Sequence, residues 1–151
     1  MSAFAAGAQS DARAERLVHY FEHLTREDLD RMGQLYAEQA FFKDPFNEVR
    51  GLAAVQRVFA HMFESLDAPR FVVVDVIVQH DQCFLTWDFL FRMRGSARER
   101  HIHGSSHLRL AADGRVAYHR DYWDAAEQFY EQLPLLGSVL RWIRRRLAIK
   151  P

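Results

Sequence analysis

"SSHLRLAADGRVAYHRDYW", residues 105–123, is two runs of alternating apolar and polar residues joined by Asp113-Gly114. A period of two marks half-buried strands, and Asp-Gly between such runs favours a tight hairpin. With Asp113 and Gly114 as the turn, Ala112 faces Arg115. The ladder then sets Leu108 opposite His119, Ser106 opposite Asp121 and Gly104 opposite Trp123. Side chains alternate across a strand, so these six residues share one face. His101, His103, Ser105, His107, Arg109, Arg120 and Tyr122 share the other. The first face mixes Leu and Trp with His119, Asp121 and Ser106, the composition of a pocket wall. The second is polar and histidine-rich, as suits solvent or a subunit contact.

Working outward, residues 70–79, 83–94, 98–111 and 115–123 read as four strands of a long meander. Trp87, Phe89, Phe91 and Met93 alternate on one of them, which makes that face core and pocket lining and turns Asp88 away. Upstream the period is helical: Leu17, Phe21 and Leu24 fall on one face, with Tyr20 beside them. Thr25 and Asp28 resemble a capping box, opening a second helix through Leu29, Met32 and Tyr36. Gly51 opens a third, with Val55, Phe59, Met62 and Phe63 as its buried stripe. Helices followed by a meander are an α+β pattern with the helices on one face of the sheet. A strongly curved antiparallel sheet with three helices across its concave face leaves a conical cavity, a natural ligand site.

The chain has 151 residues, enough for one domain with one real core. Its 20 basic and 20 acidic residues cancel, so global charge gives no reason to expect nucleic acid. Cys83 is the single cysteine, which excludes a disulfide framework and a thiolate zinc site. The first residues lack the basic and apolar regions of a secretory signal, and the expected location is cytoplasmic. Residues 1–9 are expected to be a disordered tail and 10–133 the domain. There is no glycine-rich phosphate loop, so no organic cofactor is expected. His101, His103 and His107 point the same way on a strand, but no acidic ligand accompanies them at a spacing that suits a metal. The expected metal set is none.

"AFFKDPFNEVRG", residues 40–51, sets Asp44 among Phe41, Phe42 and Phe46 with Pro45 beside it. Enclosure by these rings would make Asp44 a base strong enough to take a proton next to a carbonyl. The alternative is a turn anchor, since Asp before Pro is a common turn initiator. Asp121 and His119, two apart on one strand, form a carboxylate–imidazole pair fit for acid–base work or for positioning a water.

The segment "RLVHYFEHLTREDLDRMGQLYAEQAFFKDPF", residues 16–46, with the hairpin above, resembles the NTF2-like superfamily and its ketosteroid isomerase and SnoaL-like branches. The resemblance covers nearly all of 13–124. It implies a cone-shaped pocket and a homodimer through the outer face of the sheet. It also implies that Tyr20 and Asp44 match the family's hydrogen-bonding tyrosine and catalytic base. The isomerases carry a second acid where Ser106 stands here, which argues against steroid isomerisation; Asp121 on the neighbouring strand could take that place. The expected catalytic set is therefore Asp44, Tyr20, Asp121 and His119. The expected pocket lining is Phe46, Phe59, Phe63, Trp87, Phe89, Phe91, Ser106, Leu108 and Trp123.

Residues 134–151 lie outside the resemblance. Leu136, Val139, Leu140, Ile143 and Leu147 form an apolar stripe, and Arg141, Arg144, Arg145, Arg146 and Lys150 supply positive charge. The expectation is a helix packed on the domain; an anionic membrane surface is the alternative. The functional expectation is an isomerase, cyclase or hydrolase type of enzyme, or a binder, for a small apolar carbonyl or cyclic molecule. A non-catalytic binding or adaptor module is the competing reading.

Overall fold

Asp11 starts α1 (Ala12–Glu22) by accepting the backbone N–H of Arg13 at 2.9 Å, satisfying one of the donors that a helix N-terminus leaves unpaired. The computed structural model describes residues 11–128, 130 and 135–148, so the tail expected at 1–9 lies outside the described residues. Ala14, Leu17, Val18 and Phe21 form the buried face of α1. A 3-10 helix follows (Arg26–Gln34), opened by the expected box: Asp28 Oδ2 accepts from Thr25 N at 2.9 Å and Thr25 Oγ1 at 2.7 Å. Three residues per turn line up Leu29, Met32 and Leu35, and all three are buried.

Tyr36 does not continue that helix. It begins β1 (Tyr36–Lys43), which turns at Asp44–Asn47 into β2 (Glu48–Arg50). These two strands escape a periodicity reading because exposed Glu38 and Gln39 break the alternation. Gly51 then adopts a φ of 95°, a conformation costly for other residues, and starts α2 (Leu52–Ser65). The meander is β3 (Leu66–Gln79), β4 (Gln82–Met93), β5 (Glu99–Leu110) and β6 (Val116–Tyr122). The result is an α+β fold whose six-stranded sheet, in the order β2-β1-β6-β5-β4-β3, is curved and does not close. β1 runs parallel to β6, so the antiparallel meander carries one parallel neighbour.

Ser106 pairs with Asp121 and Leu108 with His119, as the alternation predicts. The turn itself is different. Ala111 N donates to Arg115 O at 2.7 Å, so Ala112, Asp113 and Gly114 form a three-residue loop with Gly114 at φ 80°. Leu110 pairs with Val116 but Arg109 with Tyr118, which leaves Ala117 as a bulge. The longer loop and the bulge offset each other by one residue, and the faces come out as expected. The core lies between the helices and the concave face, where Leu17, Met32, Tyr36, Phe42, Val55, Leu85 and Leu108 are almost wholly inaccessible.

After β6, Asp124 caps the short α3 (Ala125–Gln128) through Glu127 N at 3.0 Å. Gln128 bonds both backbone groups of His103, beyond the end of the β5–β6 pairing. α4 (Leu136–Leu147) departs from the expectation of a stripe packed on the domain. Of that stripe Leu136, Val139, Ile143 and Leu147 are exposed and Leu140 is half-buried, while Gly137 is buried.

Two outcomes test this architecture. The Asp11 carboxyl is held down at about 2, chiefly by the hydrogen-bonded Arg13 side chain. Its folded value lies below its unfolded one, so its stabilisation is present above about pH 4 and is lost as pH falls toward 2. Asp11→Ala should cost about 1 kcal/mol at neutral pH, and melting curves should show the difference from wild type closing between pH 4 and 2. Gly104 is needed where Trp87 lies over β5: a Cβ there would stand 2.5 Å from the indole. Gly104→Ala should therefore destabilise by about 1–3 kcal/mol and shift tryptophan fluorescence.

Candidate active site

Between α1, α2, the turn after β1 and the concave sheet lies a cavity of about 350 Å³, lined mainly by aromatic and aliphatic side chains. Of the lining expected from sequence, Phe46, Phe59, Trp87, Phe89, Phe91, Ser106 and Trp123 border it. Phe63 and Leu108 do not. Leu108 is fully buried in the core behind the wall, and Phe63 packs against the core from α2. Phe21, Phe42, Phe71 and Met62 also line the cavity, outside the lining expected from sequence.

β6 places His119 and Asp121 on the same face, and both reach the cavity. They form one end of a buried polar chain. Trp87 Nε1 donates to Ser106 Oγ at 2.8 Å, and Ser106 Oγ donates to Asp121 Oδ1 at 2.5 Å. From the other side, Tyr36 Oη lies 2.7 Å from His119 Nδ1, and His119 Nε2 lies 2.7 Å from Asp121 Oδ1. The indole can only donate, and an ionised carboxylate can only accept. The arrangement satisfying every group has the tyrosine O–H donating to Nδ1 and the Nε2–H donating to Asp121. Burial, then the charge of Asp121, push the Tyr36 phenol well above its ordinary value, so it keeps the proton it must give. Every donor in the chain is thus aimed toward Asp121 Oδ1.

Packing holds the imidazole in place. Tyr36 stacks on His119 with ring planes 10° apart, and Phe42 and Phe21 meet it edge-on at 4.8 and 5.8 Å. His119 is 3% and Ser106 4% exposed, whereas the Asp121 side chain keeps 16% of its surface accessible. Its Oδ2 accepts no hydrogen bond among the described residues, and it is the oxygen left for a ligand.

Asp44 also borders the cavity, at the rim beside Phe46 and Asn47. The apolar enclosure expected for it does not form. Strand alternation sends the Phe41 ring outward onto Tyr118, with centroids 5.3 Å apart, and Phe46 leans on Trp123 while remaining 52% exposed. Asp44 Oδ1 instead accepts from Phe46 N, Asn47 N and Asn47 Nδ2 at 2.8, 2.6 and 3.0 Å. Asp44 is therefore a turn anchor that also faces the cavity.

Tyr20 is not brought to this space. It directly precedes Phe21, and the 100° step of a helix gives the cavity to Phe21. The Tyr20 hydroxyl is buried and has no hydrogen-bond partner among the described residues. Burial, with the nearby Asp28 carboxylate adding, pushes it up to about 12. Tyr36 is the tyrosine that meets His119, and sequence reasoning set it on the second helix instead. Its local signal was ambiguous, because it follows the last helical residue and precedes the polar pair that hides β1.

On the outer face, Asp88 Oδ1 lies 2.8 Å from both His101 Nε2 and His103 Nδ1. These imidazoles hold the Asp88 carboxyl below its usual range, and the group lies on the opposite side of the sheet from the cavity.

The SnoaL-like domain family matches residues 17–119, about two thirds of the chain. No curated protein is similar enough in sequence to serve as a relative. Among solved structures, a ketosteroid isomerase-like protein from Catenulispora acidiphila, in complex with trimethylamine, superposes with a TM-score of 0.68 at 10% identity. That match covers 80% of this chain and 91% of the other. A putative SnoaL-like polyketide cyclase from Jannaschia gives 0.68 at 18% identity, covering 80% and 94%. An LEH-like epoxide hydrolase of M. tuberculosis gives 0.62 at 13% identity, covering 88% and 93%. At such identities the structural likeness speaks for the fold, and the sequence match speaks for descent. The chain belongs to the SnoaL-like domain family and has its NTF2-like, ketosteroid isomerase-like fold.

Proposed function

We propose that the protein catalyses acid–base chemistry on a small apolar carbonyl or cyclic molecule, of isomerase, cyclase or hydrolase type, with Asp121 as the proton-accepting group. The observation that carries this reading is the hydrogen-bond asymmetry of that carboxylate. Oδ1 takes donors from His119 and Ser106, Oδ2 has none among the described residues, and Asp121 borders a largely apolar cavity. A carboxylate oriented through one oxygen presents the other at a defined position to a ligand proton or to a water. His119 and Tyr36 act as positioning residues behind it.

Asp44 is the second carboxylate of the proposed site. Its turn hydrogen bonds occupy it, which favours Asp121 as the working base and leaves Asp44 to bind a polar end of the ligand at the rim. Ser106 gives its proton to Asp121, and Trp87 gives its own to Ser106. Neither is left to stabilise an oxyanion, so the proposed chemistry is not steroid isomerisation. A lining of this kind suits a ligand with a mainly hydrocarbon body and few polar atoms. The structural neighbours, the SnoaL-like cyclase and the LEH-like epoxide hydrolase among them, support that choice of reaction types.

A panel of epoxides and of β-keto compounds able to cyclise tests the assignment. On any substrate turned over, Asp121→Asn should lower kcat/KM by about 10²–10⁴-fold, while Asp44→Asn costs less than about tenfold. Full activity of the Asp121→Asn enzyme would exclude Asp121 as the base. Panel members that bind without turnover would favour the binding-module reading instead. Tyr36→Phe should leave the His119 Nδ1 without its donor and destabilise by about 1–3 kcal/mol. It should also displace the pH profile of kcat with little change in KM; a purely structural tyrosine would alter stability and leave the profile where it was.

A further inference from the structure

A base that removes a proton is half of an acid–base reaction; the ligand oxygen that gains electron density needs a donor. Around the cavity most side-chain donors are already engaged. Ser106 and His119 give their protons to Asp121, and Trp87 gives its own to Ser106. The Asn47 amide nitrogen lies 3.0 Å from both oxygens of Asp44. The Trp123 indole borders the cavity, but an indole N–H donates a hydrogen bond without releasing its proton. The remaining donors stand on α2. Val58, His61, Met62 and Ser65 follow the i, i+3, i+4, i+7 spacing of one helix face, and all four border the cavity. Ser65 Oγ lies 3.3 Å from His61 Nε2, the one hydrogen bond that either side chain makes among the described residues. Ser65 is half-buried and His61 exposed, so the ring is the member of the pair that meets solvent.

We infer that Ser65 and His61 form the acid of the site, Ser65 touching the ligand oxygen and His61 supplying the proton through it; the inference rests on the reading of Asp121 as the base. The base then stands on the sheet wall of the cavity and the acid on its helix wall. Asp121 takes a proton from a carbon next to a carbonyl, or from an attacking water. The electron pair passes into a new C–C bond onto a second carbonyl, or a new C–O bond onto an epoxide carbon. The carbonyl π bond or the epoxide C–O bond breaks toward its oxygen. That oxygen takes the Ser65 hydroxyl proton, and Ser65 takes the Nε2 proton of the imidazolium. Solvent returns a proton to the ring, which an imidazole accepts near neutral pH, and Asp121 releases its own. Both reactions end in a new hydroxyl group. A proton shift that returns to carbon ends in none and needs no such donor at its close. The pair therefore favours aldol-type cyclisation or epoxide hydrolysis, and a ligand whose reacting oxygen becomes a hydroxyl.

On any epoxide or β-keto compound that the full chain turns over, Ser65→Ala and His61→Gln should each lower kcat about 10²-fold and leave KM within about twofold. With a trifluoromethyl-substituted analogue of that substrate, whose developing alkoxide is less basic, the loss should shrink below about tenfold. Asp121→Asn should lose as much on both substrates, which separates the acid from the base. Wild-type kcat in either variant would overturn the inference. So would an equal loss on both substrates, the mark of a merely structural pair. A panel without turnover would count against Asp121 as the base, and the donor pair is then tested by binding. 2-Adamantanone, an apolar ketone that cannot readily enolise, should bind and quench tryptophan fluorescence, and Ser65→Ala should weaken it about three- to tenfold. Unchanged affinity in that variant, or no binding to wild type, would overturn the donor pair.

Discussion

One oxygen atom, Oδ1 of Asp121, organises this site. It receives the Ser106 hydroxyl and the His119 ring N–H, and those two are in turn held by Trp87 and Tyr36. The five residues come from β1, β4, β5 and β6, so the network stitches together the four central strands of the sheet. In a dry interior each unsatisfied polar atom is costly, and a network is stabilising when every member is paired. A one-residue slip of β6 would turn His119 and Asp121 to the outer face and leave the Tyr36 and Ser106 hydroxyls without their acceptors. The site and the strand register are therefore one constraint, seen once as function and once as folding.

The same constraint explains why the close approach at Gly104 matters. A side chain there would push the Trp87 indole off β5, and with it the donor that orients Ser106. It also separates the two carboxylates by role. Asp121 is held by donors from distant strands, whereas Asp44 is held by its own turn, through Asn47 and Phe46. A local turn bond organises the chain near it; a bond across the sheet positions a group against a ligand.

Much of the meander was legible because alternation is a strong local signal. Trp87, Phe89 and Phe91 on β4, and Ser106, His119 and Asp121 across the β5–β6 ladder, fell on the cavity side as the period required. The turn was misread by one residue, and the bulge at Ala117 restored the ladder. Such a compensation leaves the pattern of faces intact and so leaves no trace in the periodicity. The opposite happened at β1. Its exposed Glu38 and Gln39 interrupt the alternation, and its partner β6 lies some eighty residues away. Tyr36 was lost for that reason, and the family resemblance put Tyr20 in its place.

What the sequence determined by itself was local and periodic. It set the helical faces, the capping box at Thr25 and Asp28, the strands of the meander and the sharing of one sheet face by Ser106, His119 and Asp121. These follow from spacing of 3.6 or 2 residues and from side chains that bond their own backbone. The tertiary structure decided which tyrosine meets His119 and which carboxylate keeps an oxygen for a ligand. Those outcomes depend on the parallel pairing of β1 with β6 and on the packing of aromatic rings around one imidazole. Contacts between residues far apart in the chain are set by the summed burial of many side chains, and no short stretch of sequence carries that sum.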